Sequence, residues 1–370
     1  MHIIEIAFYI FIVVVICQII YYGFIFTKFA LAKPGNDKPK KIAVSVLICA
    51  KNEAENLQAN LPHILDQDYP DFEVILINDD STDETLEVMK SFELKHDNVK
   101  IVDVKTIEAF WGNKKYALTL GIKASSNDFL LLTDADCKPL TRNWIKQMSS
   151  HFSNSKTIVI GYGAYEKRKN NFLNKLIRFE TLLTAVQYFS YAKLGFPYMA
   201  VGRNLAYRKT EFFNANGFMS HMNVRSGDDD LFINQVANRT NTALCFNKNS
   251  FTISKPETSF KNWFKQKRRH VSTAKFYKPL HKFLLGLFYV SQLLFWVLSI
   301  VLLIMLFKWQ IVVALILLRF VIQYISLGNS AKKLNETDVL YILPILEIFL
   351  ILSQFFIFIS NLTSKSNHWR

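Results

Sequence analysis

The apolar residues of this chain are concentrated in long runs near its two ends. The first run covers residues 3–26 almost without interruption, and three more cover residues 283–307, 309–327 and 339–361. Since a helix rises about 1.5 Å per residue, each run is long enough to cross the hydrocarbon core of a bilayer, roughly 30 Å thick. This pattern predicts one N-terminal and about three C-terminal transmembrane helices around a central domain.

The charges that flank the first run indicate its orientation. Few ionisable residues lie near its start, whereas five lysines follow its end: Lys28, Lys33, Lys38, Lys40 and Lys41. By the positive-inside rule, the amino terminus lies outside and the central domain is cytoplasmic, in a multi-pass protein of the plasma (inner) membrane. A cleaved signal peptide is the alternative, but no basic segment precedes the run. A retained anchor over residues 1–28 and a linker over residues 29–41 are therefore predicted.

The net charge of +14 indicates anionic partners. The basic residues lie beside apolar segments, and no nucleic-acid-binding motif is present, so we expect a membrane surface and an anionic substrate and no nucleic acid. The four cysteines have no metal-like spacing and are expected to be reduced thiols, as is usual in the cytoplasm. They are Cys17, Cys49, Cys137 and Cys245.

Strand-like and helix-like segments alternate in the central part of the chain. Short apolar runs predict buried strands at residues 42–50, 72–77, 99–104 and 129–133. Amphipathic segments predict helices at residues 53–67, 84–92 and 114–124. This alternation is typical of an α/β domain with a mostly parallel sheet, whose ligands bind beyond the carboxyl ends of the strands.

Carboxylates follow three of these strands at that edge of the sheet. Glu53 follows the first strand, Asp79 and Asp80 follow the second, and Asp134 and Asp136 follow the fourth. Residues two apart on a strand share a face, so Asp134 and Asp136 present two hard oxygen ligands together. Such a pair suits Mg²⁺ or Mn²⁺ that also holds a diphosphate. Solvated turn residues are the alternative for any single cluster, but three clusters at one edge favour a metal and nucleotide-sugar site.

Residues 41–276 resemble the family 2 glycosyltransferases, which have the GT-A fold, a Rossmann-like α/β domain. Ala50-Lys51-Asn52-Glu53 matches the family's uridine-binding segment, and Asn78-Asp79-Asp80-Ser81 matches its Asp-Asp-Gly-Ser turn. The resemblance implies that Ala50 and Glu53 bind the nucleoside, with Glu53 on the ribose, and that Asp79 contacts the base. Asn78 and Asp80 depart from the family pattern, which leaves the choice of nucleotide open.

The resemblance also implies roles around the diphosphate. Lys114, in the segment from Gly112 to Leu118, matches the family's basic residue near the diphosphate, and Lys115 is the alternative. Asp136 is the implied metal ligand. Asp134 is implied to assist it and to contact the donor.

A third motif, Gly227-Asp228-Asp229-Asp230-Leu231, resembles the family pattern Glu-Asp-x-Asp-Leu. The resemblance implies that Asp228 is the catalytic base and that Asp230 is the later aspartate, with Asp229 as a possible substitute. Gly227 stands where the family has Glu. Helix capping is the alternative explanation for an aspartate here, but it requires only one of the three.

The acceptor side is implied by two further segments. Gly202 and Asn204 lie in a loop that resembles the family's acceptor-side glycine loop, although an ordinary turn is the alternative. Residues 259–280 form a predicted basic interfacial helix that binds anionic lipid. Within it, Gln266-x-x-Arg269-His270 resembles the family's Gln-x-x-Arg-Trp motif. The resemblance implies that Arg269 neutralises the departing diphosphate, that Gln266 contacts the acceptor, and that His270 replaces a tryptophan that packs on the acceptor sugar in polymer-forming members.

Two ionisable residues interrupt the C-terminal apolar runs. Arg319 and Glu347 each lie about 12 Å from the predicted cytosolic end of their helix, at about 1.5 Å per residue. Because isolated charges inside a bilayer are costly, we predict that the two side chains pair. A polar lining for the headgroup of an acceptor lipid is the alternative.

Together these inferences predict a hexose-transferring enzyme of the cell envelope. It would be an inverting glycosyltransferase that moves a sugar from a nucleotide-diphosphate sugar, a UDP-sugar, to a lipid acceptor, with Mg²⁺ or Mn²⁺ as cofactor. A processive polysaccharide synthase with a glycan acceptor and a non-catalytic nucleotide-binding membrane scaffold are the alternatives. The catalytic domain is predicted at residues 42–258, the C-terminal transmembrane helices at 281–362 and a tail at 363–370. Oligomeric state does not follow from the sequence.

Overall fold

A computed structural model describes residues 3–35, 40–105, 114–224 and 226–363. Parts of the predicted linker and tail, together with Gly112 and Asn113 of the predicted diphosphate segment, lie outside these residues. The chain divides into two compact units. One contains residues 1–33, 168–194 and 258–365, and the other contains residues 34–167, 195–257 and 366–370.

The second unit is an α/β domain with ten described strands. They are β1 (Val44–Ala50), β2 (Phe72–Asp79), β3 (Val99–Val104), β4 (Phe129–Asp134), β5 (Cys137–Pro139), β6 (Ile158–Ile160), β7 (Gly163–Tyr165), β8 (Leu205–Arg208), β9 (Thr242–Leu244) and β10 (Thr252–Ser254). Its described helices of four or more residues are α3 (Ala54–Leu65), α4 (Thr85–Glu93), α5 (Lys114–Ala124), α6 (Trp144–Ser150), α8 (Lys209–Asn214) and α9 (Asp230–Val236).

A seven-stranded sheet forms the centre of this unit, in the order β3-β2-β1-β4-β8-β6-β9. Strands β3, β2, β1 and β4 are parallel, and β8 is antiparallel to both of its neighbours. The prediction of a mostly parallel α/β sheet is therefore confirmed. In register, Ala50 lies opposite Asn78 and Cys49 lies opposite Asp134, so that β1, β2 and β4 end at the same edge. A smaller sheet has the order β5-β10-β7.

The first unit contains the apolar helices. They are α1 (Ile3–Ile20), which continues through a π-helical turn (Tyr21–Ile25) into α2 (Thr27–Ala30), then α7 (Phe172–Leu194), α10 (Phe260–Val271), α11 (Pro279–Ile304), α12 (Trp309–Leu334) and α13 (Leu343–Thr363). In the described part of the chain, four helical segments are long and apolar enough to cross a membrane. One is N-terminal and three are C-terminal, as predicted.

One long helix of the structure was not predicted from the sequence. It is the 23-residue helix α7. Most residues of α7 are buried around its circumference, so it lacks the clear apolar and polar faces by which helices are recognised in a sequence. Because α7 groups with the apolar helices, residues 42–258 do not form one continuous unit.

Arg319 and Glu347 form an ion pair, which confirms the predicted pairing. Arg319 Nη1 is 3.0 Å from Glu347 Oε2, and both side chains are almost completely buried. Further donors reach the same carboxylate from three described helical segments, namely Gln292 and Trp296 of α11, Gln323 of α12 and Tyr22 of the π-helical turn. Since partners inside the protein surround the pair, this arrangement favours a structural role over a headgroup-binding lining.

Candidate active site

The turn after β4 brings together the two predicted metal ligands. One ligand atom each from Asp134, Asp136 and Cys137 lies within 4.8 Å of the others. Burial, together with the nearby charge of Asp134, raises the pKa of Asp136, as expected for close carboxylates whose negative charge is not fully neutralised by nearby cations. Two such oxygen donors fit Mg²⁺ or Mn²⁺. Cys137 was not predicted here; its thiol donates a 3.3 Å hydrogen bond to Asp136 Oδ1 and helps to orient that carboxylate.

Lys114, the first residue of α5, lies between two of the predicted acidic residues. Its Nζ is 2.8 Å from Asp134 Oδ1 and 2.9 Å from Asp228 Oδ2. Burial lowers the pKa of this lysine, but the two carboxylates outweigh burial and raise the pKa well above its usual value. The three side chains line one small cavity together with Gly202 and Asp229. A candidate metal ligand, a candidate base and a candidate diphosphate ligand therefore meet at one place.

The three consecutive aspartates before and at the start of α9 have different environments. Burial raises the pKa of Asp228, but the charge and hydrogen bond of Lys114, together with a backbone hydrogen bond and the charge of Lys115, outweigh this effect and hold the pKa below its usual value. Asp229 accepts hydrogen bonds from the backbone N–H groups of Asp230 at 2.7 Å and Gly202 at 2.6 Å. Burial and the flanking aspartate charges raise the pKa of Asp229 to about 8. Because Asp229 is committed to backbone donors, this arrangement supports Asp228 as the base.

Gly227 explains one departure from the family pattern. Its φ of +99° lies in a region that residues with a side chain rarely adopt. A Cβ at this position would lie 2.6 Å from Leu231 Cδ1. The backbone conformation of Gly227 therefore excludes the glutamate that the family pattern has at this position.

Lys115 does not reach the cavity that contains Lys114. Its ammonium group donates hydrogen bonds to the backbone carbonyls of His221 at 2.7 Å and Val224 at 2.9 Å. Burial lowers its pKa to about 8. Lys115 thus holds the segment that precedes the three aspartates, and the structure gives no support to it as the alternative diphosphate ligand.

The predicted nucleoside-binding residues lie at the ends of β1 and β2. Ala50 and Asp79 are the last residues of these strands, and both are buried. Burial raises the pKa of Asp79, while the charge of Lys51 opposes this rise. Asn78 donates a 2.7 Å hydrogen bond to Asp103 Oδ1. An aspartate at position 78 would face Asp103 with a like charge, which gives a physical reason for this departure from the family pattern.

Glu53 lies just before α3 and is linked electrostatically to the acids of β4. Its Oε2 accepts a 2.6 Å hydrogen bond from Asn56 Nδ2. Burial raises the pKa of Glu53, and the charges of Asp136 and Asp134 add to this rise. The structure therefore brings the clusters after β1 and β4 to the same edge, as the sequence predicted.

Asn204 has a different position from the one that its predicted role requires. Its side chain is completely buried. Its Nδ2 donates to the carbonyls of Tyr162 and Ser250, and its Oδ1 accepts from Trp144 Nε1 at 3.0 Å. Asn204 joins three segments of the domain core, so the prediction that this side chain contacts an acceptor is not supported. Its neighbour Gly202 does line the cavity.

Arg203 was missed by the sequence predictions. Its guanidinium group lies 4.2 Å from the ring centroid of Tyr165 and donates to Ser254 Oγ at 2.8 Å. Burial and Asp134 raise the pKa of Asp136, and the charge of Arg203 opposes them. Arg203 is thus a fixed positive charge near the metal-ligand pair. The position between Gly202 and Asn204 was the only signal in the sequence, because its environment comes from three other segments.

The predicted acceptor residues of α10 belong to the other unit. His270 is exposed and Gln266 and Arg269 are partly buried. The helix is held by its neighbours in that unit: Lys267 forms a 2.5 Å ion pair with Glu180 of α7, and Arg268 donates to Asn361 Oδ1 of α13 at 3.0 Å. The assignment of Gln266, Arg269 and His270 to the site of Asp228 stays a prediction.

Comparisons with known proteins agree with this fold. Residues 45–225 match the family model described as Glycosyl transferase family 2. The chain is 36% identical over 121 residues to the poly-beta-1,6-N-acetyl-D-glucosamine synthase of Staphylococcus epidermidis. The matched segment covers 32% of this chain and 28% of that protein. It is also 33% identical over 120 residues to glycosyltransferase AglE of Haloferax volcanii, and this match covers 32% of this chain and 38% of that protein. The matched segments thus span well under half of these relatives.

One solved structure shares the fold over most of the chain. It is a mannosyltransferase from Pyrobaculum calidifontis in complex with GDP-mannose and Mn²⁺. The TM-score is 0.59 at 18% identity, and the match covers 90% of this chain and 98% of that one. This likeness shows the fold, whose mostly parallel α/β sheet resembles that of GT-A structures.

Proposed function

Because this chain carries a glycosyl transferase family 2 domain, we propose that it is an inverting glycosyltransferase that moves one sugar from a UDP-sugar to a lipid acceptor at the membrane. The observation that carries the proposal is the shared cavity of Asp134, Lys114 and Asp228. These side chains combine an oxygen ligand for a metal, a cation for a diphosphate and a base within hydrogen-bond distance of one another.

The nucleotide would lie across the carboxyl ends of β1, β2 and β4. Ala50 and Glu53 would hold the nucleoside, Asp79 would contact the base, and Lys114 would bind the diphosphate. Arg269 of α10 would add a second positive charge to the diphosphate, and Gln266 and His270 would contact the acceptor. All these side chains except Ala50 are polar or charged, as recognition of a nucleoside diphosphate requires.

The pair Asp134 and Asp136 would hold Mg²⁺ or Mn²⁺ beside the diphosphate. A cation bound there would neutralise the charge that develops on the leaving diphosphate. The raised pKa of Asp136 supports this assignment, because a pair of close carboxylates is stabilised by a cation. The nearby Arg203 limits the excess negative charge in the absence of a cation.

Asp228 would accept the proton of the acceptor hydroxyl, whose oxygen then attacks the anomeric carbon from the face opposite the diphosphate. Positioned base catalysis contributes about 10² to 10⁴ in rate. A single displacement of this kind inverts the anomeric configuration and needs no covalent nucleophile. Asp229 has no such freedom, since its carboxylate accepts two backbone N–H groups.

A lipid acceptor is supported by the apolar helices and by α10. Four candidate membrane-spanning segments accompany the catalytic domain, and α10 carries five basic side chains and a histidine beside them. The lysines after the first span and Lys332 and Lys333 at the end of α12 support a cytoplasmic catalytic domain in the inner membrane.

A processive polysaccharide synthase is the second candidate. The similarity to a poly-beta-1,6-N-acetyl-D-glucosamine synthase favours it, although the match covers only 28% of that protein. His270 stands where the family's polymer-forming members have a tryptophan that packs on the acceptor sugar, which favours single addition.

The test is a donor screen with full-length protein purified in detergent, supplied with Mn²⁺ and a lipid extract of the host. Nucleoside diphosphate release and the mass shift of the lipids are read together. We expect a single hexose-sized shift, which Asp228→Asn reduces at least a hundredfold. Asp68→Asn is the matched control, since the side chain of Asp68 is 71% exposed and takes no part in the site. A ladder of repeating units would favour the synthase, and no transfer from any donor would refute both enzymes.

A further inference from the structure

Two side chains with different proposed partners are bound to each other in this structure. Lys114 is proposed to bind the diphosphate of the donor, and Asp228 is proposed to bind the acceptor hydroxyl. Their charged atoms are 2.9 Å apart, and the side chains are only 16% and 12% exposed. While this ion pair persists, an oxygen of the base is occupied and its pKa is held low.

We propose that Lys114 is a positioning residue for the base, which holds Asp228 in the donor-free protein and releases it when the donor's diphosphate takes the ammonium group. The inference rests on the proposed function and adds to it a competition between Asp228 and the donor's diphosphate for one ammonium group.

The surroundings of Lys114 explain why Asp228 and the diphosphate would compete for its ammonium group. Its ammonium group has three N–H donors, and two carboxylates, Asp134 and Asp228, already accept from it. A cation that binds Asp134 removes one of these partners. A diphosphate that approaches the same cavity offers several charged oxygens in place of the one remaining carboxylate.

No neighbouring group among the described residues duplicates this restraint. Lys115 donates to the carbonyls of His221 and Val224, and its charge lowers the pKa of Asp228 less than the charge of Lys114 does. Asp229 accepts from backbone N–H groups rather than from Lys114. When Lys114 moves to the diphosphate, the proton affinity of Asp228 rises, since the lysine is the main influence that lowers it. Donor binding therefore strengthens the base.

A double-mutant cycle on nucleotide affinity tests the exchange without any need for the acceptor. The dissociation constants of UDP and GDP are measured with Mn²⁺ on full-length protein in detergent, for the unmodified chain, Asp228→Asn, Lys114→Met and the double variant. Because Asp228 competes with the nucleotide for Lys114, we expect Asp228→Asn to tighten binding about tenfold in the unmodified background, or about 1.4 kcal/mol. In the Lys114→Met background the same change should alter affinity less than twofold.

Two control variants separate this exchange from general electrostatics and from misfolding. Asp230→Asn removes a neighbouring charge while its side-chain oxygen can still accept the Leu231 N–H, so it should act equally in both backgrounds. Lys114→Arg keeps the positive charge and should restore the tightening by Asp228→Asn. Equal effects of Asp228→Asn in both backgrounds, or weaker binding in the unmodified background, would overturn the exchange and leave the proposed function intact. No binding of either nucleotide to the unmodified protein would overturn the proposed donor and the exchange with it.

Discussion

Removal of the guanidinium group in Arg319→Met should destabilise the membrane helices strongly. Arg319 makes four hydrogen bonds, two to Glu347 and one each to Gln18 and Gln323. Hydrogen bonds inside membrane proteins contribute about 0.6 kcal/mol each on average, so these four account for about 2 kcal/mol. The carboxylate of Glu347 would also be left buried without its counter-charge. Breaking a buried pair in this way typically costs about 3 to 5 kcal/mol, which is the loss we expect.

The double variant Arg319→Met with Glu347→Leu is the informative comparison. It removes both charges, so no unpaired carboxylate remains in the bundle. We expect it to lose no more stability than either single variant, so the coupling energy between the two sites should be at least about 3 kcal/mol. The free energy of unfolding is measured by titration with a denaturing detergent in mixed micelles, with helical circular dichroism as the signal.

Additive losses from the two single variants would refute this reasoning, because independent sites add to within about 0.5 kcal/mol. Sugar transfer by the same variants separates the structural role from the headgroup-lining alternative. A variant that keeps its stability but loses transfer would show that the pair contacts the acceptor.

Three further predictions concern the catalytic domain. Asp136→Ala should weaken Mn²⁺-dependent UDP binding about tenfold to a hundredfold, measured by calorimetry with and without the cation, and unchanged affinity would refute the assignment. His221 is buried, and burial and Lys115 lower its pKa to about 4, so the unfolded chain binds the extra proton between about pH 4 and pH 6.5 and stability should fall as the pH is lowered through that window. His221→Gln should remove up to about 2 kcal/mol of this loss in thermal melts, after allowance for partial solvent contact. Gly121→Ala would place a Cβ 2.1 Å from Ile77 Cδ1, and we expect it to lower stability by about 1 to 3 kcal/mol despite the better helix propensity of alanine, with Ile77→Val as the partial rescue in the same melts.

Much of the fold follows from local patterns. The run before Asp134 predicts β4 because a strand buried on both faces is apolar throughout, and β4 spans the expected residues plus that aspartate. The first four strands and the first three helices of the sheet domain are likewise found within a few residues of their predicted limits. The four apolar segments are recognisable by their length alone, since an apolar run long enough to cross a bilayer is typical of a transmembrane helix.

The identity of the partners within the site depends on residues that are far apart in the chain. Lys114 and Asp228 are separated by more than a hundred residues, yet their charges are 2.9 Å apart. The burial of Asn204 and the position of Arg203 also depend on contacts with other segments. A motif shows which chemical groups are present but cannot show which of them neutralise one another.

The sequence by itself therefore determined the α/β class, the membrane segments and the acidic edge of the sheet, because periodicity and composition are local properties of the chain. It also determined the pairing of Arg319 with Glu347, because a charge buried in a membrane is costly unless it is paired. Only the tertiary structure decided that Lys114 bridges Asp134 and Asp228, that Asp229 caps a helix and that Asn204 lies in the core. The physical reason is that hydrogen bonds and ion pairs are short-ranged, so their partners are settled by packing between distant segments.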